Sequence, residues 1–207
     1  MKKTIALFVS LVLMFTLGAC SNSDSSESNS SQTGDGTGTD SAVDEPENRE
    51  LVVYFSCTGN TKKVAEEIAD QTGANLYEIE PEQPYTEEDL NYGNDNSRAN
   101  REMNNENARP EISGKLENIS DYDIFYIGYP IWWGDMPKIL NTFFDTHDMS
   151  GKTIMPFCTS GGSGISKSVN SVKHAEPEAV VKEGLQISGS SSGDTADEVS
   201  EWLNKDN

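Results

Sequence analysis

The sequence predicts an α/β domain built in three layers, α/β/α, with an open parallel sheet covered by helices on both faces. Three observations carry this. From Leu51 onward, short apolar runs alternate with segments whose apolar residues recur at helical spacing. The runs, such as Leu51-Val52-Val53-Tyr54-Phe55, are continuous rather than alternating, as in strands buried on both faces. The succession of strand and helix is that of parallel crossover units.

Taken in order, Leu51–Phe55 is the first strand. Thr61, Val64, Ala65, Ile68 and Ala69 line one face of the helix that follows. Leu76–Ile79 is a short second strand. Between Glu80 and Asp121 lies a longer polar piece. Thr86 to about Asn107 is expected to form one helix there, ended by Arg109-Pro110. Asp123–Gly128 is the third strand. Met136, Ile139, Leu140, Phe143 and Phe144 make a strong helical stripe. Thr153–Cys158 is the fourth strand, in which Pro156 lacks an N–H and so favours an edge or a bulge. Ile165, Val169 and Val172 mark another helix, and Leu185-Gln186-Ile187 a brief fifth strand. Ala196, Val199, Trp202 and Leu203 mark the last helix.

The N-terminal part has a different character. Met1-Lys2-Lys3 is basic, Ile5 to Leu17 is almost wholly apolar, and Leu17-Gly18-Ala19-Cys20 follows. This is the layout of a secretory signal, and the apolar run is shorter than the roughly 20 residues a membrane-spanning helix needs. The stretch resembles a bacterial lipoprotein signal, with residues 1–19 removed and Cys20 becoming the lipidated first residue. Two or three acyl chains would anchor the protein stably to the outer face of the cytoplasmic membrane. Residues 20–49 are rich in Ser, Asn, Asp, Glu, Gly and Thr and too polar to fold alone. They read as a tether with a reach of about 30 Å. Residues 50–207 then form a single domain.

The chain has 207 residues, with 35 acidic against 15 basic side chains and a net charge of −20. Such a surface argues against nucleic acid, whose phosphates are met by Lys and Arg. It suits a basic docking partner or a small soluble substrate, and acidity also simply maintains solubility. With Cys20 assigned to lipid, Cys57 and Cys158 remain. They fall on non-adjacent strands and are expected to be reduced. No metal-binding pattern is legible. His147 and His174 read as solvated surface residues.

The loop Ser56-Cys57-Thr58-Gly59-Asn60-Thr61 joins the first strand to the first helix. In a doubly wound sheet, ligands bind outside the carboxyl ends of the strands. A helix N-terminus there offers free N–H groups and a partial positive charge. Ser56, Thr58 and Thr61 add hydroxyls, and Gly59 lets the backbone curl around an anion. The loop lacks the GxxxxGK[ST] of a nucleotide P-loop and the GxGxxG of a dinucleotide site. A cysteine phosphatase would need an Arg six residues after Cys57, where Lys63 stands. Simple helix capping by these small polar residues is the remaining alternative.

Ser-x-Thr-Gly-Asn-Thr after a first strand resembles the FMN phosphate loop of flavodoxins. Gly128-Tyr129-Pro130-Ile131-Trp132-Trp133-Gly134 and Thr159-Ser160-Gly161-Gly162-Ser163 fall where that family places its flavin-ring loops. The resemblance covers about Leu51 to Leu203. It implies a flavodoxin-like, five-stranded parallel sheet of order 2-1-3-4-5 and non-covalent FMN. It also implies cofactor binding by Ser56 to Thr61, by Pro130 to Gly134 and by Thr159 to Ser163. One of Trp132 and Trp133 is expected against the flavin and the other in the core. Asp135 nearby would lower the flavin's potential. Many flavodoxins place an aromatic on the second flavin face from the loop after strand four. Residues 159–164 hold none, so Tyr85 or Tyr92 covers that face or it stays open. Two functions follow: electron transfer to a redox partner protein, or reduction of a quinone or use of NAD(P)H as an FMN-dependent oxidoreductase.

Overall fold

The computed structural model describes residues 49–189 and 195–205. The expected signal segment, Cys20 and the tether up to residue 48 lie outside the described residues; Arg49, expected in the tether, already belongs to the domain, its carbonyl accepting from Asp123 N. Among the described residues no helix is long and apolar enough to cross a membrane.

The main sheet is parallel. Its strands are β1 (Glu50–Tyr54), β2 (Asn75–Glu78), β5 (Ile124–Pro130), β6 (Thr153–Ser160), β7 (Val180–Val181) and β8 (Leu185–Ser188). They run in the order β2-β1-β5-β6-β7, and β8 also pairs with β6. β7 and β8 share the fifth position, so the sheet has the order that the flavodoxin resemblance implied. Four longer helices flank it: α1 (Asn60–Thr72), α3 (Ile139–Thr146), α4 (Ser166–Ala175) and α5 (Thr195–Lys205).

Strand alternation divides the apolar residues between two cores. Leu51, Val53 and Phe55 pack with Phe125, Ile127 and Tyr129 of β5 and with Ile139, Leu140 and Phe143 of α3. Val52 and Tyr54 point the other way, to Val64, Ala65 and Ile68 of α1 and to Val199, Trp202 and Leu203 of α5. Each large apolar side chain removed from water in this way contributes about 1.5–3 kcal/mol. Gly128 is a product of this packing. A Cβ there would stand 2.1 Å from the Phe157 ring, which lies across the strand.

Pro156 lies on β6, inside the sheet, rather than on an edge strand. Ile154 O accepts from Lys182 N and Ser160 O from Gly189 N, so the even-numbered residues of β6 bond outward. The missing N–H of Pro156 therefore faces the gap between Val181 and Leu185. The fifth strand is interrupted where its partner has no donor to give.

The polar piece from Glu80 to Asp121 is not one long helix. Glu80–Pro81 (β3) and Ile112–Ser113 (β4) form a small antiparallel pair, Arg98–Met103 (α2) is α-helical, and Ile119–Asp121 is a single 3-10 turn. The physical reason lies in the side chains. Thr86 and Asp89 bond each other's backbone N–H groups. Asn91 accepts from Gly93 N and Asn94 from Asn96 N. These local bonds compete with helical ones. Ser97 then caps α2 by accepting from Asn100 N.

His147, expected on the surface, is buried with 6% exposure. Its ring stacks on Phe143 at 4.4 Å, and Nδ1 bonds the Phe143 carbonyl at 2.8 Å, leaving Nε2 without a partner. The apolar stripe of α3 extends one turn further than an imidazole suggests. His174 is exposed, as expected.

Candidate cofactor site at the carboxyl edge of the sheet

Three loops leave the carboxyl ends of β1, β5 and β6. The first is Ser56 to Thr61. Ser56 Oγ accepts from Gly59 N at 3.1 Å and closes the turn. Gly59 has φ +82°, in the left-handed region where side chains are strained, and it precedes α1 without capping it through a side chain. The first N–H groups of α1 thus lack intrahelical acceptors, while Thr58 and Asn60 are exposed beside them. A helix start without a side-chain cap is the kind of end that can meet an anion. Thr61 is 1% exposed, and its hydroxyl lies 2.8 Å from that of Thr159. Two hydroxyls share two protons, and one is used between them. The pair therefore keeps a single donor for a third group.

Cys57 is partly buried, and burial pushes its thiol up to about 12; the Arg98 guanidinium opposes this and the Glu102 carboxylate adds to it. A thiol held protonated is not an activated nucleophile, which adds to Lys63 standing where a phosphatase needs its Arg. Cys57 and Cys158 are both free.

The second loop sends the two tryptophans to opposite sides. Trp132 and Asp135 exchange backbone hydrogen bonds at 2.9 Å around a two-residue turn. Its central residues, Trp133 and Gly134, have φ of +50° and +77°. Positive values at both positions make a type I′ turn, which ordinarily carries Asn-Gly. Trp132 points inward. It is 3% exposed and meets Phe55 at 5.7 Å and Tyr85 at 5.3 Å between ring centroids, edge to face. Trp133 points outward and is 39% exposed. Asp135 Oδ1 accepts from Met136 N, and Oδ2 lies 3.4 Å from Lys167 Nζ, so part of its charge is offset.

The third loop follows Thr159. Ile131 N donates to Thr159 O, tying it to the second loop next to Pro130. Ser160 is buried and its hydroxyl accepts from Gly162 N at 3.1 Å, while Gly161, Gly162 and Ser163 are exposed. Ile131, Trp133 and Gly134 form one side of a cavity of about 490 Å³, and Ser160 to Ser163 form the other. Its wall is completed by Tyr92, from the polar piece. Tyr85, the other candidate for covering a flavin face, belongs to the core instead. Its hydroxyl donates to Glu102 at 2.6 Å and Arg98 lies over its ring.

The cavity suits a flat, partly apolar ring. It has one exposed indole, exposed glycine backbone opposite, and an uncapped helix start nearby for a phosphate. A larger cleft of about 650 Å³ beside α3 and α4 is lined by Lys138, Lys167 and His174 among others, with no aromatic ring except imidazole. It offers nothing comparable. Among the described residues no cluster of His, Cys, Asp and Glu is placed to hold a metal ion.

The flavodoxin family model matches residues 49–206. A solved protein assigned as a flavoprotein, from Bacteroides eggerthii DSM 20697, is 43% identical. The match covers 76% of this chain and 96% of that one, with a TM-score of 0.71. A second, from Bacteroides uniformis ATCC 8492, is 37% identical over 76% and 98% of the two chains, also with a TM-score of 0.71. A flavoprotein in complex with FMN, from Lactobacillus acidophilus NCFM, shares the fold at 22% identity. That match covers 75% and 99% with a TM-score of 0.60. No curated protein sequence matches the chain. The sheet order, the three loops and the family match agree: the chain belongs to the flavodoxin family.

Proposed function

We propose that this protein binds FMN and transfers electrons at the outer face of the cytoplasmic membrane. The observation that carries the reading is Trp133, held outward in a left-handed turn and lining a cavity beside the uncapped start of α1. The N–H groups and hydroxyls of Ser56 to Thr61 would hold the phosphate. Trp133, Gly134 and the backbone of Ser160 to Ser163 would hold the ring. Bound FMN supplies one- and two-electron redox chemistry. The chain's own residues bind, orient and shield it.

The location rests on the sequence. Residues 1–19 read as a lipoprotein signal, Cys20 as the lipidated residue and 20–49 as the tether. The membrane is then reached through the lipid anchor only. The net charge of −20 favours a basic redox partner protein, drawn in by long-range attraction, and disfavours nucleic acid.

A second reading is an FMN-dependent quinone or NAD(P)H oxidoreductase. It is favoured by the Ser160–Ser163 wall of the cavity, which is serine and glycine without an aromatic cover. A flat substrate could stack where many relatives of the fold place a ring.

The test is a visible spectrum of the purified full chain before and after adding FMN. Flavin bands that survive desalting support the reading; a colourless protein that takes up no FMN overturns both versions. Turnover with NADH, NADPH and a menaquinone analogue then separates them. Steady consumption without a protein partner sinks the pure carrier.

A further inference from the structure

Tyr92 lies outside the three loops that the family resemblance singles out, yet it stands at the mouth of the cavity. Its ring packs on that of Trp133, with centroids 4.5 Å apart and planes tilted by 37°. Tyr92 is 55% exposed and Trp133 is 39% exposed. Large aromatics left in water at a cavity mouth are not there to stabilise a core.

The backbone under Tyr92 is fixed. Asn100, itself buried at 4% exposure, donates from Nδ2 to the carbonyls of Asn94 at 2.7 Å and Tyr92 at 3.4 Å. Ala99 N donates to Asp89 O, and Ser97 N to Asn94 O. The turn carrying Tyr92 is thus pinned to α2 from beneath. Trp133 sits in a turn closed by the backbone bonds between Trp132 and Asp135, in a left-handed conformation that disfavours a bulky side chain. A ring on a pinned turn lies against a ring on a strained one.

We propose that Tyr92 is a positioning residue for the cofactor ring: it holds the Trp133 indole in place as a preformed platform. The proposal rests on the FMN reading above. Tyr92 lines the same cavity, and its effect on binding is expected to run through Trp133. Preorganisation of this kind strengthens binding by removing the ordering of a side chain from the binding step. The polar segment between Glu80 and Asp121 thereby belongs to the site as well as to the fold.

The experiment is a double-mutant cycle on the full chain, with FMN affinity read by fluorescence titration. Wild type, Tyr92→Ala, Trp133→Ala and the double variant are compared, with Tyr92→Phe as the conservative control. Tyr92→Ala is expected to weaken FMN binding roughly two- to tenfold, the range of one aromatic pair. Tyr92→Phe keeps the ring and is expected to restore wild-type affinity. In the Trp133→Ala background, removing Tyr92 is expected to change nothing further. Acrylamide quenching of indole fluorescence in the FMN-free chain should rise in Tyr92→Ala. Unchanged FMN affinity in Tyr92→Ala overturns the proposal while leaving the FMN reading intact. So does an equal loss with and without Trp133, which would mean that Tyr92 acts on its own. A wild-type chain that takes up no FMN overturns the FMN reading and this proposal together.

Discussion

The Thr61 and Thr159 hydroxyls meet at 2.8 Å, both buried, and join the first turn of α1 to the end of β6. The bond fastens the first and third loops of the site across 98 residues of sequence. Thr61→Val keeps the shape but strands the Thr159 hydroxyl in the interior. It is expected to lower stability by about 1–3 kcal/mol. The Thr61→Val/Thr159→Val double variant should lose less than the sum of the two singles, because it leaves no orphan. Urea denaturation of the four proteins gives the coupling directly.

The two adjacent tryptophans should separate cleanly. Trp132→Ala empties a packed aromatic position and is expected to cost about 3–5 kcal/mol. Trp133→Gly removes a side chain from a left-handed residue and leaves the core untouched. Its urea midpoint is expected at or above that of wild type. FMN affinity, in contrast, should fall about tenfold with the loss of the aromatic surface. A destabilised Trp133→Gly with unaltered FMN affinity would reverse the assignment of the two rings.

Gly128→Ala is expected to be among the more damaging small substitutions. The added methyl would meet the Phe157 ring at 2.1 Å, and the strand has no room to move between β1 and β6. A loss of about 3 kcal/mol is expected. Phe157→Leu in the same chain should recover part of it. Thermal unfolding of the single and double variants measures both effects.

Glu176 gives a pH signature. Burial first, then the carboxylates of Asp148 and Asp145, push it up to about 7, against a hydrogen bond from Met149 N. Its folded pKa exceeds the unfolded one, so between about pH 4.5 and 7 the folded chain holds more protons. This group's contribution is therefore favourable at low pH and is lost as pH rises through 7. Glu176→Gln is expected to flatten that fall, gaining most over wild type near pH 8 and little near pH 5. Urea midpoints at the two pH values test the sign. A larger relative gain at pH 5 would contradict it.

Much of the fold was legible because it is written in local periodicity. Val64, Ala65 and Ile68 recur at helical spacing, and Leu51 to Phe55 form an unbroken apolar strand. Either pattern can be satisfied only by burying that face, so sequence alone determined the alternation, the parallel sheet and the position of the three loops at its carboxyl edge. Gly59 was singled out as the residue that lets the backbone curl around an anion, and the structure gives it a positive φ. Other features depended on contacts between residues far apart. The choice between Trp132 and Trp133 came from a turn whose backbone bonds send consecutive side chains to opposite sides. Tyr92 reached the site only because Asn100 pins its turn to α2, and the local bonds of Asn91 and Asn94 broke a helix that composition suggested. His147 was drawn inside by the Phe143 ring, and Pro156 was accommodated by a break in the neighbouring strand. Periodicity reports what each segment must bury. Which partner it meets there is set by the three-dimensional packing.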